Sequence, residues 1–187
     1  MLERFRRVGA LHEGHFRLTS GLHSPGYLQC ALVLQHPQSA DALGRAIGER
    51  TRELRPTVVL SPALGGVIIG QEVGRALDVR AIFAERQDGA LTLRRGFMLA
   101  ETDRVLVVED VLTTGGSTRE TMQVAIAAGA HVVGVAAIVD RSGGTARFDL
   151  PFASLLPIDL PTYEPDKCPL CAQGLPVTKP GSRPVAT

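Results

Sequence analysis

The stretch Val105-Leu106-Val107-Val108-Glu109-Asp110-Val111-Leu112-Thr113-Thr114-Gly115-Gly116-Ser117-Thr118 sets two adjacent carboxylates just ahead of a run of hydroxyls and glycines. Successive backbone N–H groups and hydroxyls at a helix N-terminus bind a phosphate dianion. Glycine lets the backbone approach that dianion closely, because no Cβ intervenes. Two acids on the same phosphate would repel it, so their targets are sugar hydroxyls or a divalent cation nearby. The combination suits a sugar phosphate, with the phosphate on Thr113 to Thr118 and the ribose diol on Glu109 and Asp110. A plainer reading is a turn with Ser117 as the N-cap of the following helix. There is no Gly-Lys-Ser or Gly-Lys-Thr, so the loop is not a Walker A loop.

The elements around this loop must place it at a sheet edge. Pro37 to Leu54 reads as an amphipathic helix, and Thr57 to Leu60 as a short buried strand closed by Ser61-Pro62. Gly65-Gly66 opens a helix through Leu77. Val79 to Phe83 and Val105 to Val108 read as strands, Ser117 to Ala128 as a helix ended by Gly129, and His131 to Val139 as a further strand. Wholly apolar strands alternating with helices predict an α/β fold with a mainly parallel sheet covered on both faces. Ligands bind such sheets at the carboxyl edge. Residues 86–104 break the rhythm with a turn at Asp88-Gly89, predicting a hairpin or a mobile loop. Residues 1–36 hold a short helix and an extended segment from Tyr27 to Leu34. Prolines become dense from Pro157 onward, which predicts a docked irregular tail or a partly disordered one. The expected organisation is one domain over 1–160 and a Pro-rich extension over 161–187.

Composition narrows the function classes. The chain has 187 residues, 44% hydrophobic and 21% charged, enough apolar material for a real core. Twenty basic residues against 19 acidic leave a formal charge of +1, giving no global attraction to nucleic acid or to an anionic membrane. No apolar run reaches the roughly 20 residues that span a bilayer, and Glu3 and Glu13 interrupt any secretory h-region. Three cysteines cannot build a disulfide framework, so a cytoplasmic location is expected. Cys168-Pro-Leu-Cys171 has the spacing of half a zinc site. Completion by a second chain or a distant histidine, an uncomplexed turn, and a redox pair all remain open. His12, His15, His23, His36 and His131 have no partner that spacing can assign, although His23 stands in the segment expected to meet substrate.

VLVVEDVLTTGGST closely resembles the phosphoribosyl-pyrophosphate (PRPP) motif of the type I phosphoribosyltransferases. FRLTSGLHSPGYLQCALVL is similar to the N-terminal segment of their orotate branch, SPALGGVIIG to its pyrophosphate loop, and AAIVDRSGG to its base-side strand. The matches run in family order from about residue 10 to 145, and the Cys-Pro-Leu-Cys tail looks like one bacterial subgroup. The resemblance implies a type I phosphoribosyltransferase-like fold with a small N-terminal hood (about residues 1–36) over the sheet's carboxyl edge. It implies the joining of orotate to PRPP with Mg²⁺, giving orotidine 5′-monophosphate and pyrophosphate in de novo pyrimidine synthesis. Thr113, Thr114, Gly115, Gly116, Ser117 and Thr118 would then hold the 5′-phosphate. Glu109 and Asp110 would take the ribose hydroxyls, with Mg²⁺ carried by PRPP near Asp110. Leu64, Gly65 and Gly66 would offer N–H groups to pyrophosphate, in this family often through a strained peptide. Arg141, Ser20, Gly21, Tyr27, Leu28 and Thr113 would line the orotate side, Tyr27 serving equally as strand packing.

The sequence departs from that branch in its cations. The branch usually places lysines in the N-terminal segment, the pyrophosphate loop and the mobile loop, whereas Thr19 and Gly65 stand at the first two positions here. No lysine occurs before Lys167. Arg86, Arg94 and Arg95 are the loop cations left to meet pyrophosphate, Arg86 as the expected catalytic contact, with Arg94 or Arg95 reaching a neighbouring subunit's site in a homodimer. Solvated hairpin arginines are the alternative. Arginine stays charged at neutral pH and cannot donate a proton as lysine can. Two other functions stay open: a phosphoribosyltransferase for a purine or another base, and a PRPP- or nucleotide-sensing regulator that has lost catalysis.

Overall fold

The computed structural model describes residues 2–18 and 21–179. The chain divides into two compact units, residues 33–158 and residues 1–32 together with 159–187. In the smaller unit a short helix, α1 (Leu2–Arg7), precedes two antiparallel strands, β1 (Leu11–Arg17) and β2 (His23–Leu28). Their register pairs His12 with Tyr27 and Arg17 with His23, with an irregularity between Glu13 and Phe16. The tail docks on both strands of this hairpin. Thr178 bridges Phe16 in parallel, and Tyr163 bridges His23 antiparallel. Two short helical turns, Pro165–Lys167 and Pro169–Ala172, each begin with proline. The fixed φ of proline suits a first helical position, where no N–H is needed. Prolines that argue against long elements therefore start these short ones.

The extended segment expected over Tyr27 to Leu34 is corrected. The strand ends at Leu28 and the chain turns into α2 (Ala31–Leu34), whose Val33 and Leu34 are buried. A short apolar run has no periodicity that separates strand from helix.

The larger unit holds α3 (Pro37–Thr51), β3 (Val58–Pro62), α4 (Gly65–Leu77), β4 (Arg80–Gln87), β5 (Ala90–Leu93), β6 (Arg104–Leu112), α5 (Gly116–Ala127), β7 (His131–Asp140) and β8 (Phe152–Pro157). The six strands lie in the order β5-β4-β3-β6-β7-β8, parallel throughout except for β5. Val58, Val59, Leu60, Val105 to Val108 and Val135 to Val139 are fully buried, the pattern of strands covered on both faces. Residues 86–93 complete a β4–β5 hairpin in which Gln87 pairs with Ala90 across Asp88-Gly89, both at positive φ. Two such residues give a turn whose twist matches that of the strands. Strand β8 lies on the sheet edge, where its terminal Pro157 disturbs no inner ladder.

The topology sets the functional position. From β3 the chain crosses through α4 to β4 on one side, and from β6 through α5 to β7 on the other. Neighbours β3 and β6, paired at Leu60 and Val107, thus send their following loops apart. A crevice at the carboxyl ends of two such strands is where open α/β sheets hold ligands.

Candidate functional site

Glu109 and Asp110 stand at the carboxyl end of β6, beside the β3–α4 loop. Glu109 is only 8% exposed, and its Oε2 is buried with no hydrogen-bond partner among the described residues. Asp110 is half-buried, its Oδ1 accepting the Val111 N–H at 2.8 Å. Burial, joined by the charge of Asp110, pushes the Glu109 carboxyl up to about 9, and burial raises Asp110 as well. Desolvation penalises the charged form, and at Asp110 it outweighs the hydrogen bonds from the Val111 N–H and from Glu109 that favour ionisation. A buried carboxyl raised in this way beside a second acid is a group suited to a hydroxyl donor or a cation.

The backbone of Gly65 lies directly against this pair. A Cβ there would fall 2.7 Å from both Asp110 carboxylate oxygens. Leu64, 88% exposed, and Gly65 lead into the first turn of α4, and the Ala63–Leu64 peptide is cis. The first N–H groups of a helix have no intrahelical acceptor, so this turn offers donors at the same edge.

Across the crevice, Gly115 at φ +77° is the N-cap of α5, followed by Gly116, Ser117 and Thr118 in its first turn. The cap is therefore Gly115 rather than Ser117, because the loop must enter the left-handed region, which a glycine reaches without a Cβ penalty. Thr113, Thr114, Gly116 and Ser117 are exposed. Thr118 is fully buried, its hydroxyl turned away from solvent. Arg119 braces the loop from behind, donating to the Thr114 carbonyl at 2.8 Å and the Arg147 carbonyl at 3.1 Å while stacked over Phe148. Sequence reasoning missed Arg119, since an arginine in a first helical turn looks like any solvated one.

Arg141 reaches the same edge through β7. Its N–H donates to the Leu112 carbonyl at 2.8 Å, joining the end of β7 to the start of the glycine–hydroxyl loop. Asp140 Oδ1 accepts the Ser142 N–H at 2.8 Å, folding the chain into a tight turn just beyond Arg141. Arg86 sits on β4 and forms a two-pronged pair with Glu120 of α5, at 2.7 and 3.2 Å. Arg95 is held by Glu85 at 2.7 and 2.8 Å and lies over Phe83. Arg94 is exposed at the end of β5.

In the smaller unit, Tyr27 is half-buried against Phe16, with ring centroids 5.9 Å apart, and Leu28 is buried. The Gly21 N–H donates to the Leu18 carbonyl at 2.9 Å. Ser20 and Thr19 lie outside the described residues. Cys168 and Cys171 meet His15 and His23, and the four ligand atoms lie within 4.8 Å of one another, a group able to hold a metal ion. The two histidines had no spacing signal, because hairpin register and the returning tail bring them together. No helix among the described residues is long and apolar enough to cross a membrane.

Residues 31–159 match the phosphoribosyl transferase domain family. The orotate phosphoribosyltransferase of Carboxydothermus hydrogenoformans is 52% identical over 181 residues, covering 96% of this chain and 95% of the relative. The crystal structure of orotate phosphoribosyltransferase from Aeropyrum pernix is 25% identical with a TM-score of 0.68, over 84% of this chain and 94% of that one. That of Mycobacterium tuberculosis in complex with 5-phospho-α-D-ribosyl 1-diphosphate is 26% identical with a TM-score of 0.61, over 70% and 80%. With the acid pair and glycine–hydroxyl loop set at the β3–β6 switch point, these likenesses establish that the chain belongs to the orotate phosphoribosyltransferase family.

Proposed function

We propose that this chain transfers the phosphoribosyl group of PRPP to orotate, releasing pyrophosphate and forming orotidine 5′-monophosphate. The observation that carries the reading is the Glu109–Asp110 pair, with Glu109 buried and its carboxyl raised, between two sets of helix-start N–H groups. Two anionic groups of one ligand can lie on opposite sides of a sugar whose hydroxyls the acids receive.

In this reading the N–H groups of Gly116 to Thr118 and the hydroxyls of Thr113, Thr114 and Ser117 fix the 5′-phosphate. Leu64, Gly65 and Gly66 present N–H groups to the pyrophosphate. Glu109 and Asp110 accept the ribose hydroxyls, and their negative charge stabilises the positive charge that develops at C1′. Arg141, together with Ser20, Gly21, Tyr27, Leu28 and Thr113, receives orotate, a guanidinium fork matching a carboxylate or a carbonyl edge. Arg86 is the cation offered to pyrophosphate and must exchange its Glu120 partner to reach it; Arg94 and Arg95 supply further charge, in the same or a neighbouring subunit of a homodimer. Mg²⁺ fits this edge, since Asp110 and the unpartnered Oε2 of Glu109 are hard oxygen donors. When bound with PRPP it neutralises diphosphate charge. Transfer to a purine uses the same phosphate and ribose contacts, and only the base-side residues favour orotate over it.

Orotate loss followed by ultraviolet absorbance, with PRPP and Mg²⁺, tests the reading beside parallel assays on adenine, guanine, hypoxanthine, xanthine and uracil. Consumption of orotate alone is expected. Consumption of a purine instead would overturn the base assignment, and PRPP binding with no turnover of any base would mark a regulator.

A further inference from the structure

We propose that His15, His23, Cys168 and Cys171 form a closed structural zinc site that clips the tail to the β1–β2 hairpin. Tetrahedral zinc, with bonds of about 2.0–2.1 Å to nitrogen and 2.3 Å to sulfur, sets its ligands about 3.3 Å apart for N–N and 3.5 Å for N–S. Cys168 Sγ lies 3.5 Å from His15 Nε2, and Cys171 Sγ lies 3.7 Å from His15 Nε2 and 3.3 Å from His23 Nδ1. The two imidazole nitrogens are 2.9 Å apart. Every pair falls within 4.8 Å.

Hydrogen bonding alone does not account for this convergence. His15 Nδ1 lies 2.8 Å from the Leu175 carbonyl, which can only accept, so Nδ1 carries the proton and Nε2 is left with one lone pair. Cys168, Cys171 and His23 all close on that single lone pair. A cation at the centre satisfies all four atoms at once. The Leu175 contact is the outer hydrogen bond that orients a metal-bound histidine. His15, His23 and Cys168 are buried. Two thiolates and two imidazoles in a tetrahedron select zinc over hard, oxygen-preferring cations, and four protein ligands leave no open position for catalysis. The backbone bridges at Tyr163 and Thr178 hold the tail at its flanks. Between them, the Cys-x-x-Cys turn is tied down by the metal.

The test is metal analysis of tag-free protein purified under reducing conditions, using zinc alone as the probe and cobalt as its spectroscopic stand-in. Expected are one zinc per chain, visible bands of tetrahedral thiolate-bound cobalt after exchange, and faster proteolysis between Leu160 and Lys179 after chelation. Cys171→Ser, at the exposed ligand, should bind no stoichiometric zinc while circular dichroism shows a folded protein. No zinc uptake by wild-type protein with reduced cysteines would overturn the proposal. So would a Cys168–Cys171 disulfide in freshly purified protein, or undiminished zinc in folded Cys171→Ser. Should that variant not fold, the wild-type zinc content and cobalt spectrum decide by themselves.

Discussion

Replacing Glu109 with Gln should stabilise the free protein at neutral pH while weakening PRPP binding. The Glu109 carboxyl rises from an ordinary 4.5 to about 9 on folding, so folding takes up a proton at any pH between those values. The sign follows. Stability from Glu109 is full below about 4.5 and is lost progressively as pH rises towards 9. At about 1.36 kcal/mol per pH unit, ionisation of the unfolded chain costs the fold about 3.4 kcal/mol at pH 7 and about 0.8 at pH 5. Glutamine cannot ionise in either state and keeps the shape and a donor towards Asp110. Its advantage over glutamate should therefore be about 2.6 kcal/mol larger at pH 7 than at pH 5. Urea unfolding of both proteins at the two pH values measures this directly. An equal difference at both would refute the buried, protonated Glu109 on which the site description rests. The same linkage makes PRPP binding to wild-type protein release a proton, so affinity should increase as pH is raised from 7 towards 9.

Gly65→Ala would force a Cβ to 2.7 Å from the Asp110 carboxylate at an otherwise exposed helix start; PRPP KM should rise on the order of tenfold or more, read by initial rates, with little change in Tm. Glu120→Gln should release Arg86 from its ion pair and change PRPP KM more than orotate KM, whereas Arg86→Ala should lower turnover; steady-state kinetics with each substrate varied separates the two. Arg141→Ala should raise the KM for orotate far more than that for PRPP, and equal changes would take this arginine off the base side. Gly44→Ala would place a Cβ 2.6 Å from Glu72 Cβ and 2.7 Å from its backbone carbon, where α3 and α4 touch; such overpacking should cost about 1–3 kcal/mol of stability, read by urea unfolding.

The β–α alternation and the phosphate loop were legible because buried parallel strands read as unbroken apolar runs and helix starts carry glycine, serine and threonine. The loop also suggested a ligand class, since acids followed by hydroxyls and glycines have few structural reasons to stand together. What stayed hidden depends on distant partners. His15 and Cys168 are 153 residues apart and meet only through the docking of the tail. The pairing of Arg86 with Glu120, and of Arg95 with Glu85, is decided by which carboxylate the folded hairpin brings near. Strand β8 was missed because Pro151 stands just before it and Pro157 ends it, and a sheet edge tolerates proline at such positions. The high carboxyl pKa of Glu109 is a property of packing, which no local pattern encodes.

The central claim is that the β3–β6 crevice receives the ribose and phosphates of PRPP. Calorimetric titration of Mg²⁺ and PRPP into wild-type and Asp110→Asn protein tests it most directly, with circular dichroism confirming that both are folded. One PRPP per wild-type chain and a binding loss of at least about tenfold in the variant are predicted. Equal affinity in the two would place PRPP elsewhere and contradict the account.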